Sequence, residues 1–113
     1  SDVSELTRLL TLADHELIRN EAVNRVDLVI KDFQLINTNL DAVMEGWRLK
    51  RLPKIDQDIL RLAYVDIYNI RTPISIACDE AVNLANRYSD EHGRKMINGI
   101  LRRLQNSLLH LKK

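Results

Sequence analysis

The residues best placed to do chemistry in this chain are basic. Arg94, Asn98 and Arg102 recur at intervals of four near the C-terminus, with Lys95 and Arg103 beside them. On a helix that spacing lines up one face. Such a stripe neutralises phosphates while the Asn98 amide hydrogen-bonds, and binding through it weakens with salt. Six basic residues and no acidic ones follow Glu91. A basic face is also an ordinary solvated surface, and charge alone does not decide between the two. The other candidates are weaker. His15, His92 and His110 stand in three separate segments, and no spacing groups them as metal ligands. Cys78 lies on an apolar helical stripe and reads as a buried, inert thiol rather than a nucleophile. The pairs Asp56/Asp58, Asp79/Glu80 and Asp90/Glu91 fall in or near expected first turns, where helix-dipole and capping roles outweigh acid–base chemistry. There is no H-E-x-x-H, C-x-x-C, G-x-S-x-G or glycine-rich phosphate loop. No catalysis and no cofactor are expected.

Composition sets the frame for that stripe. A chain of 113 residues, 45% hydrophobic and 29% charged, suits one domain with one modest core. Aromatics are few, so Leu, Ile, Val and Ala must fill the interior. Three glycines and two prolines give too little punctuation for a strand-rich fold. One cysteine cannot form an internal disulfide, which points to a reducing compartment. No apolar run approaches the ~18 residues of a membrane span, and SDVSEL does not resemble a signal peptide, so a cytoplasmic location is expected. The net charge of +1 hides an asymmetry. Residues 1–46 carry four basic and nine acidic residues, and residues 47–113 carry thirteen and seven. A basic C-terminal half suits an anionic partner.

The elements that position these groups are helices. Ser4 caps an expected first helix with Leu6, Leu9, Leu10, Ala13 and Leu17 on one face, and the chain turns near Asn20. A second helix is expected from about Asn20 to Glu45. Val26, Ile30, Phe33, Ile36, Leu40, Val43 and Trp47 would form its buried stripe, Trp47 would be a core anchor, and a kink is expected at Asn37-Thr38-Asn39. Gly46 stops that helix. The basic connection WRLKRLPK leads into a helix over Ile55–Ile70 so apolar all round that it must be the central one. Tyr64, Tyr68 and Tyr88 lean toward the core. Thr72-Pro73 starts the next helix, with Ile74, Ala77, Cys78, Ala81, Leu84, Ala85 and Tyr88 inward, and Ser89 caps the last. In that last helix Ile97, Ile100, Leu101, Leu104, Leu108 and Leu111 face in. The expected fold is all-α, a compact antiparallel bundle of about five helices.

Several strings then resemble one family. W-x-L-x-R-L at Trp47–Leu52, IDQDILRLA at Ile55–Ala63, IACDEAVNLA after Pro73, RYSDE at Arg87–Glu91 and KMINGILRR at Lys95–Arg103 keep the order and spacing of the C-terminal half of the NusB antitermination factors, most like cyanobacterial or plastid members. The resemblance is clear over residues 47–104. It implies a NusB-like helical fold and a role in RNA polymerase antitermination during ribosomal RNA transcription. It also implies two partners: single-stranded boxA-type RNA, and NusE, a small-subunit ribosomal protein. Carried over by motif, the RNA-facing residues are Tyr88, His92, Arg94, Lys95 and Met96, beside the Asn98 and Arg102 of the basic stripe. The NusE-facing residues are Arg51, Leu52 and Asp56. The family's arginine-rich first helix has no match here. The domain is therefore expected to lack it, to bind RNA more weakly than a full-length member, and to leave an apolar groove that favours a homodimer. Two other readings fit the same strings: the RNA-recognition domain of a ribosomal RNA cytosine methyltransferase, and a helical scaffold that binds only protein.

Overall fold

The computed structural model describes residues 25–111, with side chains of the last helix as far as Ser107. The expectations for the first helix, the bend at Asn20, His15, and the side chains of Leu108, His110 and Leu111 lie outside the described residues. Five α-helical segments and no strand occur among the described residues. They are α1 (residues 25–31), α2 (Phe33–Val43), α3 (Lys54–Val65), α4 (Ile74–Tyr88) and α5 (Glu91–Leu111). A short 3-10 turn, Leu49–Arg51, precedes α3, and a π-helical turn, Asp66–Ile70, extends it.

The centre of the bundle is α3, which packs against α2, α4 and α5. Every residue from Asp58 to Ile67 is buried, as the apolar circumference of this segment requires. Its charges are neutralised internally. Arg61 donates from Nη1 to Asp58 (3.0 Å), from Nε to Asn37 (2.9 Å) and from Nη2 to Gln57 (3.0 Å), and lies over the Phe33 ring. Burial pulls the Arg61 pKa down, and Asp58 opposes this by favouring the cation. At the far end Arg25 of α1 bridges Asp66 (2.8 Å) and Glu80 of α4 (2.6 Å). Asp58 is therefore part of a buried ion pair rather than the surface helix-dipole residue its position suggests.

The long second helix breaks at Asp32 (φ −110°, ψ 26°), and Asn37–Asn39 lie within the unbroken helix Phe33–Val43. The break changes which residues face in. Val26 and Val29 are buried before it and Ile36, Leu40 and Met44 after it, whereas Ile30 is half exposed. Trp47 is 49% exposed and is not a core anchor. The chain reverses just before it, through Glu45 (φ 21°) and Gly46 (φ 82°), the left-handed conformation that glycine adopts without strain. Leu49 takes the interior place instead, its N–H donating to Asp41 (2.7 Å).

The last two helices follow their stripes. Ala77, Cys78, Ala81, Leu84 and Ala85 are buried in α4, and Ile97, Ile100, Leu101 and Leu104 in α5. Burial pushes the Cys78 thiol upward, with Asp79 adding to the rise, so it stays protonated and unreactive. Pro73 rather than Thr72 stands at the cap position of α4.

Candidate nucleic-acid interface

The two-residue link Ser89–Asp90 turns the chain from α4 into α5. Asp90, not Ser89, closes the first turn of α5, its Oδ1 accepting from the Gly93 N–H (2.7 Å). The Ser89 hydroxyl donates to Asp56 Oδ1 of α3 (2.6 Å). Asp56 is only 1% exposed. Its burial raises the carboxyl pKa and Asp90 adds to the rise, while the Ser89 hydrogen bond and His92 oppose it. The approach of α5 to this corner depends on Gly93. A Cβ there would sit 2.6 and 3.0 Å from the Asp56 carboxylate oxygens and would collide with the Ser89 hydroxyl.

Downstream of that corner α5 has two faces. Ile97, Ile100, Leu101 and Leu104 are buried, and His92, Lys95, Asn98 and Arg102 are exposed. Arg94 is half-buried, its Nη1 donating to the Ser89 carbonyl (3.3 Å). Lys95 lies 3.5 Å from Glu91, but its side chain is 78% exposed, so the pair is a weak surface contact. Tyr88 and Met96 are half-buried and pack against the core. Arg103 is half-buried and donates from Nε to the Val43 carbonyl (2.9 Å), closing the end of α2. The predicted RNA-facing residues thus cluster along one helix and the turn before it. His92, Lys95, Asn98 and Arg102 are presented to solvent, while Tyr88 and Met96 mainly support them.

The second predicted edge is placed differently. Arg51 is exposed, but Leu52 and Asp56 are buried. The accessible chemistry there is Trp47, Arg48, Lys50 and Arg51. Among the described residues no group of three or more His, Cys, Asp or Glu could hold a metal ion. None of their helices is long and apolar enough to cross a membrane. Sequence reasoning missed Ser89 as a tertiary contact and Gly93 altogether. The available signal was a glycine in the first turn of an otherwise well-formed helix, where it costs stability unless something packs against it.

Sequence comparison assigns the family. The family model of the NusB family matches residues 5–106. The chain belongs to the NusB family. Transcription antitermination protein NusB of Synechococcus sp. is 46% identical over 104 residues, which is 92% of this chain and 49% of that protein. The protein of the same name from Crocosphaera subtropica is 41% identical over 106 residues, 94% of this chain and 51% of the relative. The chain therefore spans about half the length of these curated relatives. A solved structure of T. maritima NusB superposes with a TM-score of 0.70 at 30% identity, covering 79% of this chain and 63% of the other. The all-α NusB fold expected from the strings is thus confirmed.

Proposed function

We propose that this NusB domain acts in the cytoplasm in transcription antitermination, gripping single-stranded, boxA-type RNA along α5 and the turn before it. The observation that carries the reading is the two-faced α5. Its apolar stripe is locked into the core, so His92, Lys95, Asn98 and Arg102 are displayed from a rigid element rather than a loop. Side chains held in this way lose less freedom on binding. Arg94, Tyr88 and Met96 line the same end of the helix. The family names of the relatives support the same role. NusE would dock at the edge that begins α3, through Arg51 and its exposed neighbours Trp47, Arg48 and Lys50. Leu52 and Asp56 would support that edge from below. Through NusE the domain would join the RNA polymerase elongation complex.

A titration of boxA RNA, with and without NusE, at two salt concentrations tests this. RNA should bind more tightly with NusE present. Affinity should fall with salt by about 0.7 log units per phosphate contacted for each tenfold rise, and Arg102→Ala should reduce that slope. An RNA affinity insensitive to salt and to Arg102→Ala would refute the assignment to α5.

A further inference from the structure

Asp56 is poorly accounted for by stability alone. Its Oδ1 accepts from Ser89, but its Oδ2 is buried and finds no hydrogen-bond partner among the described residues. A buried carboxylate with an oxygen left over is costly, and an apolar residue of similar size is often the more stabilising choice. What Asp56 does hold is Ser89, and Ser89 is a junction. Its N–H donates to the Ala85 carbonyl (2.9 Å), its hydroxyl donates to Asp56, and its carbonyl accepts from Arg94 Nη1 (3.3 Å). Gly93 presses the first turn of α5 against the same two side chains. A continuous set of contacts therefore runs from the buried start of α3, through Ser89, to a guanidinium beside His92 and Lys95.

We propose that Asp56 and Ser89 are positioning residues of the RNA interface, their hydrogen bond seating residues 89–94 so that Arg94 meets phosphate in one fixed orientation. This rests on the assignment of RNA to α5 made above. The guanidinium is planar and directional, so its value in phosphate recognition depends on the fork being aimed before the ligand arrives. Ser89 aims it through the carbonyl, and Asp56 holds Ser89. The negative charge of Asp56 is itself unfavourable to RNA. Removing the charge without losing the hydrogen bond should therefore leave binding intact or slightly improved.

The test is the affinity of the domain for boxA RNA with and without NusE, and for NusE alone, for wild type, Ser89→Ala, Asp56→Asn, Asp56→Leu, Arg94→Ala and the Ser89→Ala/Arg94→Ala double variant, so that a loss of NusE binding is told apart from a loss of RNA contact. Thermal melting is recorded for each. Ser89→Ala should bind about tenfold more weakly, the scale of one charge-assisted contact. Asp56→Asn keeps an acceptor oxygen for Ser89 and should stay within about twofold of wild type. Asp56→Leu should lose RNA affinity about as Ser89→Ala does when both are assayed well below their melting temperatures, where the domain is fully folded and a purely structural role would leave affinity unchanged. The double variant should bind no more weakly than Arg94→Ala alone. The inference is overturned if Ser89→Ala and Asp56→Leu both bind RNA as wild type does, or if the Ser89 and Arg94 losses add. A wild-type domain that binds no RNA, with or without NusE, refutes the underlying RNA reading instead.

Discussion

Gly93→Ala and Gly99→Ala are the same substitution on the same helix, and the structure gives them opposite signs. Helix propensity alone favours alanine by about 1 kcal/mol at both positions. At Gly99 a new Cβ meets nothing within 4 Å among the described residues, so that gain should appear nearly in full. At Gly93 the Cβ would enter the corner where Asp56 and Ser89 meet, 2.6 Å from one carboxylate oxygen and 3.0 Å from the other. Neither neighbour is the free end of a long side chain. Asp56 is buried at the start of the central helix, and Ser89 is tied at both its backbone N–H and its carbonyl. Overpacking of this kind costs about 1–3 kcal/mol, and separating the serine from an ionised acceptor costs about 1.5–3 kcal/mol more. Set against the propensity gain, Gly93→Ala should lose about 1.5–5 kcal/mol. For a domain of this size that is a fall of roughly 6–25 °C in Tm, measurable by circular dichroism melting or by urea titration. The reasoning is refuted if Gly93→Ala is as stable as wild type, or if the two variants move in the same direction.

Arg61→Ala should be strongly destabilising, by about 3–5 kcal/mol in urea unfolding, because it removes the buried Arg61–Asp58 ion pair and uncovers Phe33. Trp47→Ala should change stability by less than about 1 kcal/mol, since the indole is half exposed and Leu49 fills the interior; a core-sized loss would contradict the exposed placement. Asp56→Asn carries a pH signature. The folded-state pKa of Asp56 lies above its ordinary value, so the unfolded chain releases this proton first. The contribution of Asp56 to stability is therefore full below the ordinary carboxylate range and is lost as pH rises through the folded pKa. Unfolding of wild type and Asp56→Asn at about pH 3.5 and pH 7 should show the variant gaining relative to wild type at the higher pH, and a gap that stays constant or reverses would contradict the burial.

Patterns that repeat within one helix were legible in the chain; contacts between distant segments were not. The inward residues of α4 and α5 follow from spacing alone, because each helix offers one face rich enough in Ala, Ile and Leu to be buried. The central position of α3 followed from its near lack of charge. The three charges it does carry in its buried stretch, Asp58, Arg61 and Asp66, are balanced by residues on other segments as well as its own. Asn37 is 24 positions from Arg61, and Arg25 is 41 from Asp66. Such partners leave no local trace. The error at Trp47 has a similar origin. A step of four continues the helical stripe from Val43, but Glu45 and Gly46 in positive φ end the helical geometry on which the step depends. Pattern reasoning holds only as far as the element that carries it.

That boundary also explains how the interface divides. Arg94, Asn98 and Arg102, with Lys95 beside them, were visible as a stripe because α5 is one uninterrupted helix and its polar face is set by its own apolar face; His92 joined them only through the family resemblance. The aim of Arg94 was invisible, because it is set through Ser89 by an aspartate 33 residues before that serine, whose position suggested a helix-dipole or NusE-facing role. Charge brings an anionic strand to a basic helix over a distance of about 8–10 Å at ordinary salt, and any similar stripe would do as much. Holding the strand in one register requires side chains that do not swing, and in this domain the groups that restrain them lie beneath the surface. Substitutions along the exposed stripe should therefore scale with salt, whereas substitutions at Asp56, Ser89 and Gly93 should change affinity with little change in the salt slope. Measuring that slope for Ser89→Ala beside Arg102→Ala separates the two contributions, and equal changes in slope would show that position and charge are not distinct here.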